Sequence, residues 1–175
     1  MMKWILAVVG ALALLIAVAY GVGARLPREH VATVRTHFRQ PPDSIYRVLT
    51  DVTSYPTWRS DVDRVEREPD RNGHIVWRER ERMGALEYEF TVAIRPTRLV
   101  SAMITPDAGF AGRWIYQILP EVDGTVLTIT EEGSVEDPLF RFLSHYVFGK
   151  YGSMETMLKS LGKRLGEVTL PVRVI

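Results

Sequence analysis

Two glutamates occupy positions that the local pattern otherwise gives to apolar side chains. In the stretch 73–82, Ile75 and Trp77 alternate in phase with Glu79 and Glu81; in 124–132, Leu127 and Ile129 are in phase with Glu131. A strand sends alternate side chains to opposite faces, so this parity puts Glu79 and Glu131 on apolar faces. A carboxylate there must find a partner or hold a proton, because burying it charged and alone is very costly. Glu79 and Glu131 are therefore the candidate catalytic residues, as general acid or base, or as groups that orient a ligand hydroxyl. The alternative is structural. Each would then lie at a strand end where the face meets water, or pair with an arginine such as Arg78, Arg80 or Arg113.

The same parity collects aromatic rings. Leu86, Tyr88, Phe90, Val92 and Ile94 share one face of their strand, and Trp114, Tyr116 and Ile118 share another. Together with Trp58 and Trp77, these give a candidate ligand-binding wall of Trp58, Trp77, Tyr88, Phe90, Trp114 and Tyr116. For any one of them taken singly, ordinary core packing is the favoured account. Other chemistries find little support. The four histidines (His30, His37, His74, His145) stand singly and without His-x-x-x-His spacing, which predicts surface residues and no metal site. Arg59 and Asp61 beside Trp58 read as a solvated loop pair, with a polar rim to the site as the alternative. There is no cysteine, hence no disulfide and no thiolate. A Gly-x-Ser-x-Gly elbow is missing, and Gly21-Val22-Gly23 precedes no strand–helix unit, so neither a hydrolase triad nor a nucleotide loop is expected. No cofactor is implied.

The elements that must position these residues follow from periodicity and breakers. Val31–Arg39 alternates as a first strand, and Ile45, Val48 and Leu49 mark a short amphipathic helix ending near Thr50. Strands are then expected at about 61–68, 73–82, 85–95, 98–105, 110–119 and 124–132. Asn72-Gly73, Met83-Gly84, Pro96, Pro106 to Gly109 and Asp123-Gly124 supply the turns between them. Links this short imply antiparallel pairing. Asp137-Pro138 caps a C-terminal helix, Gly149 and Gly152 interrupt it, and Met154, Met157, Leu158, Leu161 and Leu165 continue its apolar stripe. The expected fold is α+β, with a curved seven-stranded antiparallel sheet wrapped around one long helix.

This order resembles the helix-grip fold of the START/SRPBCC superfamily. Pro42, Val48, Leu49, Asp51, Tyr55, Pro56 and Trp58 are similar to the signature of its polyketide cyclase/dehydrase branch. Trp77-Arg78-Glu79, Gly112-Arg113-Trp114-Ile115-Tyr116 and Thr130-Glu131-Glu132-Gly133 resemble its later strands. The resemblance implies an internal cavity for a hydrophobic small molecule.

Ahead of this domain, Trp4 to Ala24 contains no charge, which is enough helix to cross about 30 Å of hydrocarbon. A retained membrane anchor is expected over residues 1–24. A linker follows at 25–30, the domain at 31–166 and a tail at 167–175. The alternative is a signal sequence cleaved near Val22-Gly23-Ala24. Arg25, Arg28, Arg35 and Arg39 favour a cytoplasmic domain by the positive-inside bias, whereas a signal-like start favours the opposite face. From Arg25 onward acidic and basic residues balance at 21 each, so no nucleic-acid partner is expected. The partners expected are a lipid bilayer and an apolar small molecule such as a lipid, quinone or polyketide-like compound. A cyclase or dehydratase using the cavity carboxylates is the alternative function, and a protein–protein adaptor a second one.

Overall fold

The structure, a computed structural model, describes residues 1–81, 84–105 and 109–174. The expected turns at Met83 and at Pro106 to Ala108 lie outside the described residues.

An apolar helix α1 (Met2–Gly23) leads into strand β1 (Glu29–Phe38), helix α2 (Pro42–Thr50) and a 3-10 turn (Val52–Thr57). Six strands follow: β2 (Val62–Arg71), β3 (His74–Glu81), β4 (Gly84–Ile94), β5 (Arg98–Met103), β6 (Phe110–Glu121) and β7 (Gly124–Val135). The chain then forms helix α3 (Pro138–Leu143), a π turn (Ser144–Phe148), helix α4 (Gly152–Arg164) and a short strand β8 (Val172–Val174). All strands join one antiparallel sheet in the order β2-β3-β4-β5-β6-β7-β1-β8. The fold is thus the expected helix-grip α+β architecture with an N-terminal apolar helix.

Three details correct the expectation. The sheet has eight strands, because the supposed tail adds β8 to β1, with Arg35 opposite Val172 and Thr33 opposite Val174. A three-residue strand is too short to show a period, yet it pairs the open edge that β1 would otherwise present. Arg173 between the two valines holds β8 down through Glu155 of α4, at 2.6 Å. The single long helix is also divided into α3, the π turn and α4. Finally, a bulge between Phe90 and Val92 shifts the phase of β4, so Ile94 does not share the inner face and is 55% exposed.

Alternation places Ala32, Val34, Thr36 and Phe38 of β1 inside, against α4. The α4 stripe of Met154, Met157, Leu158 and Leu161 is fully buried in the core with Ile45, Leu49, Leu99, Ile118, Leu127 and Ile129. At about 1.5–3 kcal/mol per fully buried side chain, those four residues contribute roughly 6–12 kcal/mol as an upper bound. That is comparable to the whole net stability of a domain, so α4 is indispensable to the fold. It fills only one end of the sheet's concave face. The helix is interrupted at Gly149–Tyr151, and a space remains beside this interruption, bordered by Gly149, Lys150 and Ser153.

Candidate functional site

That space is a cavity of about 360 Å³, within the usual range of small-molecule sites. Inner-face residues of β3 to β7 wall it, the 3-10 turn and its exit contribute Tyr55, Arg59 and Asp61, and Phe140, Ser144, Gly149, Lys150 and Ser153 close the helical side.

Four of the six expected aromatics reach the wall: Trp77, Tyr88, Trp114 and Tyr116. Trp77 stacks on Tyr88 with ring centres 5.7 Å apart, and Trp114 leans on Tyr116 at 6.2 Å. Phe90 sits beside Trp77 at 4.5 Å and is buried without lining the cavity. Trp58 stands off the wall, edge-on to Tyr55 at 5.3 Å, its indole N–H donating to Ser54 Oγ at 3.2 Å. Phe110 and Phe140, stacked at 5.8 Å, line the cavity instead.

Both candidate carboxylates face this one cavity. Glu79 accepts the indole N–H of Trp77 at 2.7 Å and forms an ion pair with Arg59, Nη1 to Oε2 3.1 Å. The partner is not one of the expected arginines. Arg78 projects from the opposite face of β3 to Glu68 and Glu87, and Arg113 pairs with Glu132 at 2.6 Å. Nor is Arg59 solvated as expected. Its side chain is 10% exposed, with Nη2 2.6 Å from Asp61 and the guanidinium over the Tyr55 ring. Burial alone disfavours the guanidinium charge, but Glu79 and Asp61 outweigh that and hold its pKa above the ordinary value. The Tyr116 hydroxyl is likewise raised well above a normal tyrosine, chiefly by burial, although Arg59 and a hydrogen bond with Ser101 pull the other way.

Glu131 is held differently. It accepts the Trp114 indole N–H at 2.8 Å and lies 3.0 Å from His30 Nε2. His30 pairs across the ladder with Gly133. A Cβ on Gly133 would come within 2.8 Å of His30 Nε2, so the glycine makes room for the imidazole to lie along β7 and reach Glu131. With Glu131 ionised, Nε2–H is the donor, and a neutral ring then leaves Nδ1 free to accept. The sequence pattern puts His30 in the linker and on the surface. Instead β1 begins at Glu29, and parity with Ala32 and Val34 turns His30 inward.

Two of the other histidines, His37 and His74, also depart from isolation, since sequence spacing is blind to cross-strand neighbours. His74 Nδ1 is 2.6 Å from Glu89, and His37 Nε2 is 3.2 Å from Asp123. Among the described residues, His37, Glu121 and Asp123 bring one possible ligand atom each within 4.8 Å of one another, at an exposed turn. Exposed acidic groups of this kind occur commonly without a metal.

Helix α1 is long and apolar enough to cross a membrane, and its apolar window is unburied by the rest of the chain.

No curated protein matches this sequence. Among solved structures, a protein from Thermus thermophilus superposes with a TM-score of 0.65 at 19% identity, covering 78% of this chain and 97% of that one. A START superfamily protein from Mycobacterium smegmatis gives 0.59 at 16% identity, covering 80% and 98%. The di-domain aromatase/cyclase StfQ of the steffimycin biosynthetic pathway gives 0.61 at 13% identity over 79% of this chain, which spans only 52% of StfQ. Likenesses at such identities establish the fold. Residues 29–166 match the family described as "Polyketide cyclase / dehydrase and lipid transport", and the chain belongs to that family.

Proposed function

We propose that the chain is a membrane-anchored binding protein that holds one compact apolar molecule, such as a quinone, a polyketide-like compound or a small lipid. The observation that carries this reading is the cavity of about 360 Å³ walled by Trp77, Tyr88, Trp114 and Tyr116. Its volume lies near the lower end for drug-sized ligands, which favours a single compact molecule over a two-chain phospholipid. Flat aromatic walls favour a ligand with rings of its own. Retention of α1 is supported by its docking. Gly23 is the buried residue of the helix and sits against Pro138 and Phe142, contacts that cleavage after Ala24 would remove.

Trp77 and Trp114 make the site its own reporter. Titration with a quinone probe should quench tryptophan emission saturably, with one molecule bound per chain. Ser101→Phe, which adds a ring to the cavity wall, should abolish the quenching. Quenching unchanged in that variant, or none in the parent protein, would count against the cavity as the site.

A second reading is supported by His30. An imidazole oriented by Glu131 and turned toward an apolar cavity is the arrangement of a general base, able to take a proton from a bound carbonyl compound or hydroxyl. Glu79, tied to Arg59, is the weaker candidate for that role. If the protein is an enzyme, His30→Gln should keep ligand affinity and lose turnover. Equal loss of both would assign His30 to binding alone.

A further inference from the structure

The junction between α1 and the domain is a packed joint. Gly23 lies so close to α3 that a Cβ there would fall on the Pro138 carbonyl, and Phe142 Cβ would stand 3.3 Å away. One turn later Arg141, itself buried, donates from Nη1 to the Leu26 carbonyl at 2.9 Å. The chain leaving the apolar helix is therefore pinned to α3 on both sides of Ala24, and α3 cannot stand far from the end of α1.

Helix α3 and the π turn that continues it together have the composition of a surface-lying helix. Leu139, Phe142 and Leu143 are only half-buried, and Tyr146 and Val147 are 59% and 62% exposed although the domain core is close by. The Phe142 and Tyr146 rings touch at 4.9 Å, making one apolar surface continuous with the last turn of α1. Exposed Arg25 and Lys150 flank it. An apolar face with an aromatic anchor and cationic edges suits the headgroup layer of a bilayer, where such elements sit about 5–10 Å deep.

The same joint borders the ligand site. A crevice of about 90 Å³, lined by Leu26 and Pro27 together with the polar Arg28, Glu29 and His145, shares His30, Val135, Ser144 and Lys150 with the main cavity. We infer that Leu139–Val147 is a second membrane-contacting element, which lays the cavity's mouth on the headgroup layer beside α1. This rests on α1 being a retained anchor. It sets the bilayer, where an apolar ligand dissolves, directly beside the crevice that adjoins the cavity.

The chain has no cysteine, so a single introduced one can be spin-labelled without ambiguity. Full-length Val147→Cys, Val122→Cys and Leu12→Cys would be labelled in nanodiscs of phosphatidylcholine with phosphatidylglycerol. Access to oxygen and to a water-soluble nickel chelate is then compared. Val122, fully exposed at the β6–β7 turn, is the aqueous control, and Leu12 reports the anchor. The expected result is that the Val147 label loses access to the chelate relative to Val122 and gains access to oxygen. A shielded Leu12 label with a Val147 label as wet as Val122 overturns the inference and leaves the anchor standing. A wet label at Leu12 overturns both.

Discussion

Removing Arg59 should destabilise the protein far more than removing a surface arginine, and the difference follows from burial. Glu79 has a side chain 2% exposed and is ion-paired with Arg59 at 3.1 Å. Taking one partner from a buried ion pair costs about 3–5 kcal/mol, because the remaining charge is left in a medium that solvates it poorly. For a chain of this length about 1 kcal/mol moves the melting temperature by roughly 2–4 °C, so Arg59→Met should lower it by about 6–20 °C. Arg113→Met breaks an even shorter contact, 2.6 Å to Glu132, but the two side chains there are 55% and 38% exposed, and the expected cost is at most about 1 kcal/mol. A double variant, Arg59→Met with Glu79→Gln, removes the stranded charge while the glutamine oxygen can still accept the Trp77 indole N–H. It should recover at least half of the loss. Thermal unfolding of the full chain in detergent, followed by near-ultraviolet circular dichroism, reads all three. If Arg59→Met and Arg113→Met shift the midpoint equally, or if the double variant is no more stable than Arg59→Met alone, the buried pair is not what holds this wall.

Tyr55 and Tyr116 both have hydroxyl pKa values raised, first of all by burial. A group whose folded pKa exceeds its unfolded value stabilises fully below the unfolded pKa, about 10 for tyrosine, and loses that contribution as pH rises beyond it. The fold should therefore open above about pH 10 with a late burst of tyrosinate absorbance, and Tyr116→Phe should move that opening to higher pH. An unshifted transition in the variant would show that Tyr116 does not govern it. Gly133→Ala should push the His30 ring off β7, at a cost of about 1 kcal/mol for the lost hydrogen bond to Glu131. Nitrogen-15 spectra of the imidazole check this, since an unchanged His30 signal would mean that the ring has room for a Cβ.

Much of this architecture was legible in the chain because it rests on local signals. Period-two alternation marked seven strands, Asn72-Gly73 does turn β2 into β3, and Asp137 does cap α3 by accepting the Phe140 N–H at 2.7 Å. Parity also carried Trp77, Glu79, Tyr88, Trp114, Tyr116 and Glu131 to one face. The omissions are non-local. Arg59 lies in a loop with no period, and only packing of that loop over β3 delivers it to Glu79. Starting the first strand at Val31 hid His30, although its parity with Ala32 was visible. Ile94 left the inner face at a bulge, which alternation alone does not reveal. Strand β8 is too short to have a period, and its place depends on the free edge of β1.

The central claim, that an apolar molecule occupies the aromatic cavity, is tested most directly by native mass spectrometry. The full chain would be extracted gently from its own membrane and released from the detergent micelle in the spectrometer. The account predicts a single additional mass, one per chain, lost in Ser101→Phe and identifiable as a compact apolar compound. Recovery of the bare chain alone, together with no uptake when quinones and lipids are offered in excess, would contradict it.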